Sequence, residues 1–282
     1  MENNTPLALI DGDIILYRSS FACAELSDWS DVKEYVYTMI KDMLNNLGTD
    51  DYIGFIQGKK NFRVDVAKQA EYKGNRKSKP KPFWYYNIRQ FLIDAFGFIV
   101  VDGMETDDAL SILHNRIKDR DTIICSIDKD LLQSPGKHYN INSGEMMLST
   151  EDLSVKTLAE QIITGDSTDN IKGLHRVGPV KAAKILSEAK SVGDYLPIAL
   201  QAYLNYYFEA KSKNKIEETN EETFLKATKH FAETFELVFL LRNMSEEEFP
   251  TPEIINLCNI ENPLNYGARR KSEGSTEETI FG

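Results

Sequence analysis

Apolar residues come in short bursts along the first half of the chain and at helical spacing along the second. Leu7–Ile10, Tyr52–Ile56, Phe98–Val101 and Thr122–Ile127 are compact apolar runs flanked by turn formers, which predicts buried strands. Between them, Val32–Leu47, Phe83–Ala95 and Asp107–Ile117 read as helices. This alternation predicts an α/β fold with a largely parallel sheet flanked by helices. From about Thr150 the strand signals fade, and helices are expected over Thr150–Thr164, Pro179–Ala189, Asp194–Phe208 and Glu222–Leu241. The expected organisation is an α/β core over residues 1–150 with a basic segment at about 59–95, a smaller helical domain over 151–265, and a disordered tail over 266–282. Lys211–Glu222, almost wholly charged or polar, is expected to be a mobile loop.

Charge changes this picture. The 282 residues, 41% of them hydrophobic, suffice for a sizeable core. The formal charge of -11 would disfavour nucleic acid if it were evenly spread. Residues 59–81, however, hold nine basic residues against two acids, a local +7 that leaves -18 for the rest of the chain. Cations there interleave with aromatics through Tyr72-Lys-Gly-Asn-Arg-Lys-Ser-Lys-Pro-Lys81 to Tyr86. That pattern suits a segment gripping a single strand through phosphates and stacked bases, although charge runs also commonly just face water. Cys23, Cys125 and Cys258 form an odd set without C-x-x-C spacing, and the four histidines lack zinc-ligand spacing. No apolar run approaches the roughly 20 residues of a membrane span, and the N-terminus lacks a basic leader. A cytoplasmic, soluble protein is expected.

Four acidic clusters carry the candidate chemistry: Asp11 and Asp13; Glu105, Asp107 and Asp108; Asp128 and Asp130; Asp166 and Asp169. Each follows an apolar run or opens a helix, and ligands of open α/β sheets lie beyond the carboxyl ends of the strands. Taken singly, each cluster is an ordinary cap or strand-end turn. Gathered together, they would demand divalent cations held by oxygen ligands, the chemistry of metal-assisted phosphodiester cleavage. Directly after the last cluster, Asn170-Ile-Lys-Gly-Leu-His-Arg-Val-Gly-Pro brackets a turn with Gly173 and Gly178 and opens a helix at Pro179, a helix-hairpin-helix type signal. Lys172, Arg176, Lys181 and Lys184 would hold duplex backbone there.

In this order, Tyr72-Lys-Gly-Asn-Arg76, Glu105-Thr-Asp-Asp108, Ser126-Ile-Asp-Lys-Asp130 and Gly165-Asp-Ser-Thr-Asp-Asn170 resemble the 5'-nuclease or flap endonuclease family in its free-standing, phage-type form. The resemblance covers about residues 7–190. It implies a PIN-like core, a helix-three-turn-helix domain and two Mg²⁺ or Mn²⁺ ions. By position, Asp11, Glu105, Asp107 and Asp108 would serve the first ion, with Asp13 in support, and Asp128, Asp130, Asp166 and Asp169 the second. Lys73 and Arg76 match the pair that contacts the scissile phosphate, and Tyr17 an aromatic that stacks beside the cut. Arg63, Tyr72, Lys77, Lys79 and Lys81 would bind DNA, with residues 77 to about 90 forming an arch over the 5' strand. Carbonyls of the Gly173–Gly178 turn would hold K⁺.

Three positions depart from the family pattern: Gln57 stands where an aspartate is usual, Arg176 where glycine is favoured, and Val180 where lysine is common. The implied function is a monomeric 5'-3' exonuclease or flap endonuclease acting on branched, nicked or primer-bearing DNA in replication or repair, RNA–DNA hybrid included. For the C-terminal tail a disordered end is the expectation, with docking on a replication partner as the alternative. A non-cleaving branched-DNA binder with a decayed site at Gln57, or a PIN-type ribonuclease, are the alternatives.

Overall fold

The structure, a computed structural model, describes residues 5–76 and 80–242. In chain order its strands are β1 (Leu7–Asp11), β2 (Tyr52–Asn61), β3 (Ile99–Gly103), β4 (Thr122–Ser126), β5 (Gly136–Asn140), β6 (Met146–Ser149), β7 (Gly165–Asp166) and β8 (Ile171–Lys172). The helices are α1 (Gly12–Ala22), α2 (Trp29–Leu47), α3 (Arg63–Val66), α4 (Tyr85–Phe96), α5 (Thr106–Arg116), α6 (Glu151–Thr164), α7 (Pro179–Leu186), α8 (Tyr195–Asn214) and α9 (Asn220–Val238). Among the described residues two units result: 5–62, 80–150 and 240–242 form the first, and 63–76 and 151–239 the second. The basic segment expected in the α/β core is thus divided, with Arg63–Arg76 belonging to the helical unit.

The first unit is built on a six-stranded sheet, among the described residues, in the order β3-β2-β1-β4-β5-β6. All pairings are parallel except β5 with β6. β1 is buried along its whole length, as the two-sided cover of a parallel sheet requires. The order reverses between β1 and β4, so a crevice opens beyond their carboxyl ends. Ile10, Ile15, Val36, Ile40, Ile88 and Leu92 pack into the core of this unit. Gly12 is pressed against β2, where a Cβ would sit 2.3 Å from the Phe55 carbonyl oxygen. The helix read over Phe83–Ala95 is α4, which buries Tyr85, Ile88 and Leu92 and begins within the segment expected to arch over a strand.

In the second unit α6, α7, α8 and α9 surround Leu158, Ile162, Ile163, Tyr203, Phe231 and Phe235. β7 and β8 form a minimal antiparallel hairpin. Its backbones approach so closely that a Cβ on Gly173 would lie 2.2 Å from the Gly165 nitrogen. The polar stretch from Lys211 is a loop only over residues 215–219: α8 runs to Asn214, and α9 starts at Asn220 behind a capping box made by Thr219 and Glu222. Among the described residues no helix is long and apolar enough to cross a membrane. Cys23 and Cys125 are buried free thiols. Lys77, Lys79, Cys258 and the tail lie outside the described residues.

Candidate active site

At the switch point of the first unit, Asp11 closes β1 and caps α1, its Oδ1 accepting from the backbone N–H of Asp13 (3.1 Å) and Ile14 (3.2 Å). Its Oδ2 accepts from the Ser126 hydroxyl at the end of β4, 2.6 Å away. That hydroxyl in turn accepts from the Asp128 N–H at 3.0 Å. Asp11 is only 3% exposed. Burial, the neighbouring Asp13 charge and then Asp128 push its carboxyl up to about 7, against the pull of the Ser126 and Ile14 donors.

Asp107 sits in the first turn of α5 and accepts no hydrogen bond from the described residues. Burial, followed by the charges of Asp11, Asp128, Glu105 and Asp108, holds its carboxyl well above the usual carboxylate range. Asp11, Glu105, Asp107 and Asp128 thus lie within electrostatic reach of one another, drawn together from three strand or helix ends that are distant in sequence. Among the described residues no three His, Cys, Asp or Glu side chains enclose a ready-made metal cage as placed. The donor set nevertheless fits a hard divalent cation: it is all oxygen, and burial together with the surrounding acids raises the proton affinity of Asp11 and Asp107.

Two expected ligands also tie the fold together. Asp108 is fully buried; its Oδ2 accepts from the Glu105 N–H (3.0 Å) and its Oδ1 from the Leu241 N–H (3.0 Å), so both oxygens are committed to capping. Asp13 ties two elements together through Oδ2, which accepts from the Gln57 N–H (3.0 Å) and the Thr106 hydroxyl (2.6 Å). Its charge is also the largest one acting on Asp11, which keeps it part of the acidic cluster. Gln57 itself spans the gap between β2 and the start of α5, donating to the Met104 carbonyl (2.9 Å) and accepting from the Thr106 N–H (3.2 Å). A neutral amide can do both, whereas an aspartate could only accept. Glu105 is oriented by Asn61, whose amide donates to Oε1 at 2.8 Å. Asp130 follows Asp128 in a turn, its N–H donating to Asp128 Oδ1 at 2.9 Å.

Also in the first unit, Lys81 Nζ lies 4.8 Å from the centre of the Tyr17 ring and 4.4 Å from that of Tyr85, and donates to the Tyr17 hydroxyl. Phe83 and Tyr86, respectively 76% and 69% exposed, extend the aromatic surface of this segment. Sequence reasoning singled out Tyr17 and Lys81. It missed Ser126, Thr106 and Asn61, small polar residues whose only signal is their place beside an acid.

In the second unit, Asp169 gathers the expected phosphate contacts around itself. It accepts from the Tyr72 hydroxyl (2.9 Å), pairs with Lys73 Nζ at 3.4 Å and forms an ion pair with Arg76. Tyr72 is a core residue, 7% exposed, whose hydroxyl positions Asp169; this corrects its assignment to DNA contact. Arg63 is likewise corrected. It is 1% exposed and donates to the carbonyls of Leu237 (2.8 Å) and Phe239 (2.7 Å), closing the C-terminal end of α9. Asp166 makes a local turn, Oδ1 accepting from the Thr168 N–H at 2.7 Å.

Gly173 is required by the hairpin rather than by DNA approach. Arg176 has φ +62°, the left-handed region where glycine is at ease. Gly178 caps α7, and Lys181 and Lys184 are exposed on that helix. In the Gly173–Gly178 turn, expected to hold K⁺, the carbonyls of Leu174, Arg176 and Gly178 each accept a hydrogen bond from the protein.

The family model described as "5'-3' exonuclease, N-terminal resolvase-like domain" matches residues 6–162. The chain belongs to the 5'-3' exonuclease family. Among its relatives, a 5'-3' exonuclease of Mycoplasmopsis pulmonis is 31% identical over 204 residues, which is 65% of this chain and 67% of that protein. A DNA polymerase I of Caldicellulosiruptor bescii is 29% identical over 210 residues, 66% of this chain, and the match spans only 25% of the polymerase. Among solved structures, a T5 5'-exonuclease with bound divalent zinc aligns with a TM-score of 0.58 over 90% of this chain and 96% of its own, at 16% identity. A bacteriophage T5 flap endonuclease in complex with DNA and metal ions gives a TM-score of 0.58 at 17% identity, over 90% and 99%. At that identity the likeness is one of fold, and it is the resolvase-like, mostly parallel α/β architecture described above.

Proposed function

We propose that the chain is a divalent-metal-dependent 5'-3' exonuclease and flap endonuclease that hydrolyses phosphodiester bonds near 5' ends of branched or nicked DNA. The observation that carries this reading is the mutual repulsion at the β1–β4 switch point, where Asp11 and Asp107 are held far above ordinary carboxylate behaviour by burial and by their acidic neighbours. Such a cluster is relieved by positive charge, and its family supplies the chemistry that uses it.

Asp11, Glu105, Asp107 and Asp128 would hold Mg²⁺ or Mn²⁺, with Asp130 positioning Asp128. The bound metal supplies a lowered water pKa and charge stabilisation at the transferring phosphoryl group. Ser126 and Asn61 aim the carboxylates, and Gln57 with Asp13 and Thr106 fixes the start of α5 against β2. Lys73 and Arg76 would supply positive charge to a phosphate. Tyr17, with Lys81 over its ring, offers a base-stacking face. Arg176, Lys181 and Lys184 would contact duplex backbone. The metal-bound and DNA-bound T5 proteins support this reading by fold.

A 5'-flapped duplex tests it. Cleavage is expected with Mg²⁺ and none with chelator, and Asp128→Asn is expected to abolish turnover while DNA affinity in chelator is retained or improved. Binding without product in Mg²⁺ would favour a non-cleaving branched-DNA protein, and near wild-type turnover of Asp128→Asn would remove that residue from the metal site.

A further inference from the structure

The second unit contains a pocket of about 400 Å³ that the metal chemistry does not use, within the roughly 300–1,000 Å³ range of small-ligand sites. Its existence follows from the β7–β8 hairpin. Gly165 and Gly173 face each other backbone to backbone, so no side chain fills the space beside them, and buried Ile171 forms part of the lining. The wall is preorganised through His230. The Lys172 carbonyl can only accept, so His230 Nε2 donates to it (2.9 Å), and Nδ1 must then accept from the Tyr207 hydroxyl (3.0 Å). One imidazole tautomer and one tyrosine orientation are thereby fixed. Burial, working against the Lys172 hydrogen bond and the Glu233 charge, lowers the His230 pKa and favours this neutral arrangement.

The lining has a definite chemical character. Tyr206, Tyr207, His175 and His230 present aromatic faces or edges, Ser167 and Lys172 stand at exposed positions, and no Asp or Glu lines the pocket among the described residues. The charge of Glu233 reaches His230 and Tyr207 from outside the lining, and Lys172 is the cationic group on the lining, so the pocket suits a flat, hydrogen-bonding ligand whose anionic group lies at the Lys172 end. The Tyr206 hydroxyl and the exposed His175 ring make no hydrogen bond within the described structure, so both are available to such a ligand. We propose that this pocket binds one unpaired nucleotide, its base stacked on Tyr206 and His175 and its phosphate at Lys172. The nuclease reading enters only as the source of that nucleotide, either an unpaired position of the DNA substrate or a released 5'-mononucleotide.

The test uses the whole protein in chelator, so that no cleavage occurs. Two probes are titrated: a single-stranded oligonucleotide carrying 2-aminopurine, read by fluorescence, and free 5'-dTMP, read by calorimetry. The double variant Tyr206→Leu/His175→Ala is expected to weaken binding of at least one probe by about ten-fold, since each stacked base contributes roughly 1–3 kcal/mol. Should the double variant unfold, His175→Ala alone serves, because that side chain is exposed and unbonded. Loss with the oligonucleotide alone assigns the pocket to a strand, and loss with 5'-dTMP alone assigns it to a free nucleotide. Unchanged affinity for both, in a variant with wild-type melting, overturns the proposal. If the wild type cleaves no flapped DNA in Mg²⁺ yet the variant loses nucleotide binding, the nuclease reading fails and the pocket stands.

Discussion

Replacing Asp11 by asparagine offers the sharpest test of the repulsive site, because it separates folding from metal binding. The side chain keeps its shape, and asparagine caps helices about as well as aspartate. Its carbonyl oxygen can still accept from Ile14 N–H or from the Ser126 hydroxyl. What disappears is a buried charge whose pKa rises from 3.8 to about 7 on folding. The sign follows from linkage. Between those two values the native carboxyl holds a proton that the unfolded one has lost, so raising the pH favours the unfolded chain until the native group also ionises.

At about 1.4 kcal/mol per pKa unit, the wild-type penalty without metal is about 2 kcal/mol at pH 5.5 and about 4 kcal/mol at pH 8. Weakening the hydrogen bond from Ser126 takes back about 1–2 kcal/mol. Asp11→Asn is therefore expected to stabilise the protein in chelator at pH 8 by about 2–3 kcal/mol, or roughly 5–10 °C in the melting of the first unit, with a smaller gain at pH 5.5. Mg²⁺ or Mn²⁺ is expected to raise the wild-type melting temperature and leave the variant almost unmoved, and the variant is expected not to cleave. Calorimetric melting at both pH values, with and without metal, reads all of this. A variant less stable than wild type in chelator at pH 8, or a metal-induced shift equal in the two proteins, would refute the reasoning.

Three further outcomes are expected. Lys73→Ala is expected to lower the single-turnover cleavage rate about 100-fold while weakening DNA binding less than ten-fold, with equal losses demoting Lys73 to a simple phosphate anchor. Arg63→Met leaves the Leu237 and Phe239 carbonyls without their donor and is expected to cost about 3 kcal/mol in urea unfolding; DNA affinity at permissive temperature is expected to hold, and a selective loss of affinity would restore Arg63 to the DNA face. Arg176→Gly relieves a left-handed backbone and is expected to stabilise the fold by about 1 kcal/mol, while lowering by about one the number of ions released on DNA binding, read from the salt dependence of Kd.

The strands and the order of the acidic clusters were legible because buried parallel strands are written as unbroken apolar runs and because carboxylates follow them directly. β5 and β6 were not, since β5 carries Lys137, His138 and Asn140 in place of an apolar run and β6 is a four-residue strand at the sheet edge. α1 was hidden because Ile14-Ile15-Leu16 is contiguous and lacks a clean helical stripe. Lys211–Glu222 was misread at its two ends because a helix end and a capping box are as polar as a loop. Within the site, chemistry was readable but assignment was not. A carboxylate that caps a helix, such as Asp108, and one left with no protein donor, such as Asp107, are adjacent and identical in sequence. Only the positions of Leu241 and Glu105 distinguish them. The same holds for cations, where Arg63 and Lys73 read alike until one is found closing α9 and the other meeting Asp169.

The ring of Tyr72, Lys73 and Arg76 around Asp169 bears on how this chain would respond to salt. A polyanion approaching two lysine-or-arginine charges ordinarily displaces dissolved ions from its own surface as each charge is neutralised. Here those charges arrive with an internal anion already attached, so the nucleic acid must exchange with a carboxylate as well as with the solution. Affinity would then be lower at low ionic strength, and would fall less steeply as salt is added, than a count of basic residues suggests. The same carboxylate keeps the two cations side by side before any strand arrives.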